Sequence, residues 1–288
     1  MRSTYVIAAL LVVIVIIAVS IAVLRQSTQP ASPMSYVNNF RDLLSNGSFT
    51  ATYSGSYVEI SITNTNNEVI RCNSTSDFSV GSINGSRAFI DVIKTTCNGL
   101  ASNVQFIPMQ EMAYWINGSD LCEAAYVVMN NHGSGSINCL PLGRYSVFTA
   151  FLPFDELLGN ATFAIAVQGY SINYSITTYI NYVNTTKWHG QAVYCFNVIS
   201  NLTRAQSMAG SLGLRSSNDI TELICLLPNG LPAIRIINET VVLSPLSSRS
   251  TYMYVVQSKS ELVNYTLSYF NVTAFNELIS MARSQGNG

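Results

Sequence analysis

The feature that most constrains this chain is a run near its start. Tyr5 to Leu24 reads YVIAALLVVIVIIAVSIAVL, and Ser20 is its one clearly polar side chain. Twenty helical residues rising ~1.5 Å each span about 30 Å, the hydrocarbon thickness of a bilayer. The segment is therefore expected to deliver the chain to a membrane. Its length exceeds the roughly 7–15-residue apolar stretch of a secretory signal. A retained anchor is the expectation, with secretion after cleavage near Ala22 as the alternative, because Ser20-Ile21-Ala22 fits a small-x-small cleavage pattern. Arg2 and Arg25 flank the segment and nearly balance, so the positive-inside rule does not orient it. No cysteine precedes Cys72, so there is no lipid-attachment site of the bacterial lipoprotein kind.

Orientation comes from the long chain beyond this segment. Cys72, Cys97, Cys122, Cys139, Cys195 and Cys225 make an even set with no CxxC, and neither His132 nor His189 stands at metal-ligand spacing from them. In an exported chain such a set reads as disulfides. Six cysteines allow 15 connectivities. The sequential one, Cys72–Cys97, Cys122–Cys139 and Cys195–Cys225, closes the shortest loops and is the expected one. N-x-S/T occurs at Asn46, Asn73, Asn84, Asn117, Asn160, Asn173, Asn184, Asn201, Asn238, Asn264 and Asn271. The Asn, Ser and Thr content would give roughly five by chance, so the excess points to N-glycosylation. Both features place the long C-terminal part on the outside of the cell.

Charge is scarce: 10% of residues are Asp, Glu, Lys or Arg, where about 25% is usual. With a formal net charge of −1 there is no field to gather nucleic acid. An apolar content of 48% argues against disorder. Two physical reasons fit an uncharged, hydroxyl- and amide-rich surface. An acidic exterior would neutralise carboxylates, and a glycan coat would supply solubility without charge.

Along the chain, residues 1–25 form the anchor or uncleaved signal. Residues 26–33 (QSTQPASP) form a short stiff linker. Residues 34–285 form an extracellular β-rich domain, with a possible subdivision near 133–140. Tyr36, Val37, Phe40, Leu43 and Leu44 recur at helical spacing and predict a helix over 34–45, stopped by Asn46-Gly47. Most of the remainder is short, β-branched and aromatic, and reads as strands. Ser48–Ser54 and Tyr57–Thr63 are expected to be separate strands split at Gly55-Ser56. Leu223–Ile237 around Pro228-Asn229-Gly230 predicts a hairpin, with Pro232 at an edge or outside regular pairing. Further helices are expected over 202–212 and 273–281, the latter with Thr273 as a possible cap. The fold class is a β-rich α+β domain: a transmembrane helix, then a large antiparallel, curved sheet with a few packed helices.

Candidate chemistry is thin. His132-Gly133-Ser134-Gly135-Ser136 invites a nucleophile reading, but the elbow G-x-S-x-G is absent and a glycine-rich turn explains it. His189, in Lys187-Trp188-His189-Gly190, reads as a hairpin tip. The carboxylate pairs Asp120/Glu123 and Asp155/Glu156 would need to face each other across a cleft, and Asp155/Glu156, before Leu157-Leu158-Gly159, read as a short helix start or solvated turn. Sixteen tyrosines suit contacts to carbohydrate or protein, yet half-buried strand positions account for them better. No catalytic residue, metal site or cofactor motif emerges.

The opening of the domain, Tyr36-Val37-Asn38-Asn39-Phe40-Arg41-Asp42-Leu43-Leu44 and then Ser48-Phe49-Thr50-Ala51-Thr52-Tyr53, resembles the start of LolA-like and LppX-like lipoprotein-carrier domains. The resemblance implies a helix and a curved antiparallel half-barrel enclosing an apolar pocket for acyl chains. The cysteines and sequons depart from that family. The Ser/Thr/Asn/Tyr-rich composition also resembles surface glycoproteins of thermoacidophilic archaea. The expected function is a non-enzymatic, single-pass membrane glycoprotein with a binding or interaction role toward a cell-surface protein or carbohydrate. Its alternative is a carrier of lipid or another apolar ligand. A second alternative is a secreted hydrolase.

Overall fold

The computed structural model describes residues 32–62, 67–98, 109–129, 132–141, 157, 161–167, 170–202, 214–245 and 252–285. The membrane segment 5–24, linker residues 26–31 and all but the first residue of the expected helix 202–212 lie outside them, while Pro33, expected to end the linker, belongs to a helix. Leu202 itself ends a strand. Among the described residues no helix is long and apolar enough to cross a membrane.

Helix α1 (Pro33–Asn46) opens the domain. Pro33 occupies the first turn, where a missing N–H costs nothing. Tyr36, Val37, Phe40 and Leu44 form its buried stripe, as the spacing predicts. Its C-terminal carbonyls are taken up by Arg87, whose guanidinium donates to Gly47 O (2.7 Å) and to Leu44 O. This places a cation at the negative end of the helix dipole.

Twelve strands come next: β1 (Phe49–Ile62), β2 (Asn67–Ile83), β3 (Ser86–Asn98), β4 (Met109–Asn117), β5 (Asp120–Met129), β6 (His132–Pro141), β7 (Ala161–Val167), β8 (Tyr170–Trp188), β9 (Gln191–Leu202), β10 (Leu214–Leu226), β11 (Pro232–Pro245) and β12 (Tyr252–Leu267). Helix α2 (Val272–Gln285) ends the domain. The strands form one antiparallel sheet in the order β6-β5-β4-β3-β2-β1-β12-β11-β10-β9-β8-β7. It is open: β6 and β7 are its edges. The β-rich, antiparallel expectation holds, and residues 36–285 are not split near 133–140.

Three local expectations are corrected. Gly55-Ser56 does not break a strand; β1 runs through it. A Cβ on Gly55 would lie 2.8 Å from Lys259 O, so this glycine serves close strand approach rather than a turn. The segment His132–Ser136 is not a turn but the first half of β6. A Cβ on Gly135 would lie 2.6 Å from Ala282 Cα, so glycine there lets α2 lie on the strand. The cap of α2 is Asn271 and not Thr273, since Asn271 Oδ1 accepts the Ala274 N–H at 3.1 Å.

The PNG hairpin forms as read. Pro232 is paired with Leu226, at a bulge between Cys225 and Leu226 that accommodates its missing donor. Tight turns at Asn84-Gly85 and His189-Gly190 both take positive φ, the conformation that matches the strands' twist.

The two helices pack on opposite faces. Directly paired residues share a face and neighbours along a strand alternate. Phe49, Ala51, Tyr53, Phe78, Val80 and Phe89 join the α1 stripe in the larger core. Ala88, Ile90, Ala113 and Ala124 turn the other way and pack with Phe275, Leu278 and Ala282 of α2.

Candidate ligand face beyond helix α1

Helix α1 covers only one end of its face. On β1 it packs with Phe49, Ala51 and Tyr53, the first five residues of a fourteen-residue strand. Helix α1 crosses the strands, from Tyr194 of β9 beside Tyr36 to Arg87 of β3 beside Leu44, so at ~3.3 Å per residue about 30 Å of β1 follows Tyr53. The register shows what the rest of that face carries. One row holds Tyr57, Cys72, Ser258, Ile237 and Glu222. The next holds Ile70, Glu59, Val256, Glu239 and Ile220. Tyr57, Val256, Ile237 and Ile220 are half-buried, and Ile70 is buried. The surface is apolar with a few carboxylates set into it.

Between α1 and this surface lies a polar cluster. The buried Glu222 pairs with the half-buried Arg235, their side chains one row apart on the same face. Asp91, 9% exposed, accepts a 2.5 Å hydrogen bond from the Ser76 hydroxyl. Burial pushes its carboxyl up to about 6, against the pull of Ser76 and with a smaller push from Asp77. Burial also raises the Tyr53 phenol, with Arg235 pulling the other way. Tyr114 donates to Glu123 at 3.0 Å, and burial raises its phenol as well. No sequence pattern marks these groups, because Tyr53, Ser76, Asp91, Glu222 and Arg235 come from β1, β2, β3, β10 and β11, and Tyr114 and Glu123 from β4 and β5.

The six cysteines form three cross-strand bonds: Cys72–Cys97 between β2 and β3, Cys122–Cys139 between β5 and β6, and Cys195–Cys225 between β9 and β10. Each pair is directly opposed in register. This is the sequential connectivity. Among the described sequons, Asn46, Asn73, Asn84, Asn117, Asn184, Asn238 and Asn264 are exposed, and Asn271 is half-buried. Asn160 and the side chains of Asn173 and Asn201 lie outside the described residues.

The remaining candidates do not converge on chemistry. Glu123 lies on the α1 face opposite Tyr114, and Asp120 on the other. Asp155/Glu156 lie outside the described residues. His132 is exposed on β6, and His189 is the exposed tip of the β8–β9 hairpin. A cavity of about 530 Å³ opens beside His189, lined also by Ser54, Ser56, Asn73, Lys259 and Glu261. Lys259 and Glu261 pair at 2.5 Å and are about half exposed, so their charges are solvated. Among the described residues no group of three His, Cys, Asp or Glu side chains is placed to hold a metal ion.

No protein-family model matches the chain, and no curated protein matches it. Solved structures give loose superpositions. A beta-barrel-like protein of the family DUF1849 from Brucella abortus is 7% identical, with 75% of this chain and 98% of that one covered at a TM-score of 0.37. A DUF1329 family protein from Desulfovibrio piger is 6% identical, covering 83% and 92% at 0.26. A putative outer membrane lipoprotein-sorting protein domain from Vibrio parahaemolyticus is 8% identical, covering 86% and 97% at 0.25. Superpositions at these scores assign neither a fold family nor an activity to this chain.

Proposed function

We propose that the domain is a non-catalytic binding module that takes an amphipathic, acyl-chain ligand on the part of the α1 face that α1 leaves uncovered. The observation that carries this reading is that α1 crosses the strands at one end of its face, sharing a core on β1 with Phe49, Ala51 and Tyr53. On β1 the nine residues after Tyr53 extend about 30 Å beyond that core. The strands present Tyr57, Ile70, Ile237, Val256 and Ile220 there, with Glu59 and Glu239 among them. A mostly apolar lining with few polar groups is what binds a chain and orients its head. On the sequence alone, we also propose that Tyr5–Leu24 holds this module at the outer surface of a membrane.

The test is binding of a fluorescent fatty-acid analogue to the purified full chain in detergent-free lipid nanodiscs. Saturable binding that falls at least tenfold in Ile237→Glu and Val256→Glu supports the proposal. No binding above empty nanodiscs, by protein with native circular dichroism, would overturn it.

A second reading is a protein- or carbohydrate-contacting surface. It is favoured by the exposed aromatics of β8, Tyr179 at 59% and Tyr182 at 44%. Loss of glycan-array or cell-surface binding in Tyr179→Ala, with acyl-probe binding absent, would favour it over the carrier.

A further inference from the structure

We propose that the α2 face of the sheet is a glycan-bearing surface, with Asn73, Asn184, Asn238 and Asn264 as its attachment sites. The inference rests on register and stands whether or not the acyl-ligand reading does. Thr52, Ser54, Ser56 and Val58 are the alternate residues of β1 that turn away from α1. Each heads one row of side chains across the sheet. Asn264 pairs directly with Thr52. Asn184 reaches the Ser54 row through Cys195, Cys225, Ile234 and Glu261, each directly opposite the next. Asn73 is opposite Ser56. Asn238 joins the Val58 row through Gln257. Four consecutive rows on one face thus carry one sequon asparagine each, from four different strands, and all four side chains are exposed.

The spacing suits bulky groups. Rows lie about 7 Å apart and strands about 4.8 Å apart, which separates the four sites by about 15 Å or more. Each hydroxyl partner is a threonine two residues on: Thr75, Thr186, Thr240 and Thr266. In an extended strand it projects from the same face as its asparagine. Helix α2 covers β3 to β6 on this face, and none of the four sites lies on those strands.

The modification requires an oligosaccharide donor carried on a polyprenyl phosphate or diphosphate, and a membrane transferase to act on it. The asparagine Nδ2 forms a bond to the sugar's anomeric carbon as that carbon's bond to the lipid phosphate oxygen breaks. The lipid phosphate or diphosphate leaves, and the amide proton passes to a base of the transferase. No oxidation or reduction occurs. Asn271 provides an internal contrast: it is half-buried, and its Oδ1 is engaged as the cap of α2.

The experiment is glycopeptide mass spectrometry on the full chain isolated from its own cells, beside a variant with Asn→Gln at all four positions. The expected result is a glycan on each of the four peptides in most molecules, with lower occupancy at Asn271. The variant should lose the corresponding mass and keep its circular dichroism. Four peptides found only at their unmodified mass would overturn the proposal. So would modification of Asn271 with the four left bare.

Discussion

Gly230 rests on the backbone of Phe40. At φ 93° its α-carbon approaches α1 so closely that a Cβ would lie 2.4 Å from Phe40 N and 2.7 Å from Asn39 C. Asn39 Nδ2 donates to Pro228 O at 2.9 Å beside it. The turn that reverses β10 into β11 is therefore also the clamp on α1.

A side chain at this position meets both a left-handed backbone and a collision. Gly230→Ala is expected to destabilise the domain by about 2–4 kcal/mol. The check is a urea midpoint, with loss of near-ultraviolet signal from Tyr36 and Tyr194, whose rings stack at 3.8 Å where the helix meets β9. A change below about 0.5 kcal/mol would show that the approach is not as close as described.

Gly135 plays the matching part for α2. Replacing it with Val would push Ala282 off β6 and free the helix while leaving α1 in place. Hydrogen exchange should show α2 amides opening at least tenfold faster, with the amides of β1 and β12 unchanged.

Asp91 gives the protein a pH dependence of definite sign. Its carboxyl rises from 3.8 to about 6 on folding, so the native state binds the proton more tightly than the unfolded chain. Below about pH 4 both states are protonated and burial costs nothing extra. As pH climbs from about 4 to about 6, stability falls, by an amount on the order of 3 kcal/mol. Above about 6 the loss is complete and constant. Asp91→Asn is expected to raise the free energy of unfolding at pH 7 by about 1–3 kcal/mol, read from urea denaturation, and to leave it nearly unchanged at pH 4. Equal effects at both pH values would exclude titration as the cause.

The disulfides are rungs between neighbouring strands, closing sequence separations of 25, 17 and 30 residues. Chain entropy assigns each about 3–4 kcal/mol. Cys195→Ala/Cys225→Ala should lose that much and lower the thermal midpoint by roughly 5–10 °C for a domain of this size. Intact mass before and after reduction should differ by six hydrogens. A reduced protein with an unchanged midpoint would contradict this assignment.

Much of the local architecture was legible in the sequence, and the failures share a cause. The stripe Tyr36, Val37, Phe40, Leu44 and the PNG turn are short-range signals, so a helix and a hairpin could be read from neighbours alone. Gly55 and Gly135 were misread as breaks because glycine is also required where another backbone comes close. Nothing adjacent in sequence distinguishes that use: the partner of Gly55 is Lys259, and that of Gly135 is Ala282. The cap of α2 was misplaced by two residues because Asn271 and Thr273 are both acceptable caps. The face beyond α1 was not legible, since its rows are assembled from β2, β1, β12, β11 and β10. Parity assigns each residue to one of two faces, but strand order decides which strands lie side by side.

That order has a kinetic consequence. Every strand pairing but one joins consecutive strands: β1 to β6 form one meander and β7 to β12 another. The exception is the seam between β1 and β12, where Phe49 faces Leu267. It closes the longest loop in the domain, and no disulfide crosses it. Local pairings form before distant ones when loop closure limits the rate. A chain emerging amino end first can therefore zip its first meander, hold β1 as an unpaired edge, and complete the sheet only when β12 arrives. On the export through a membrane proposed above, the last strand to emerge would be the one that finishes the fold.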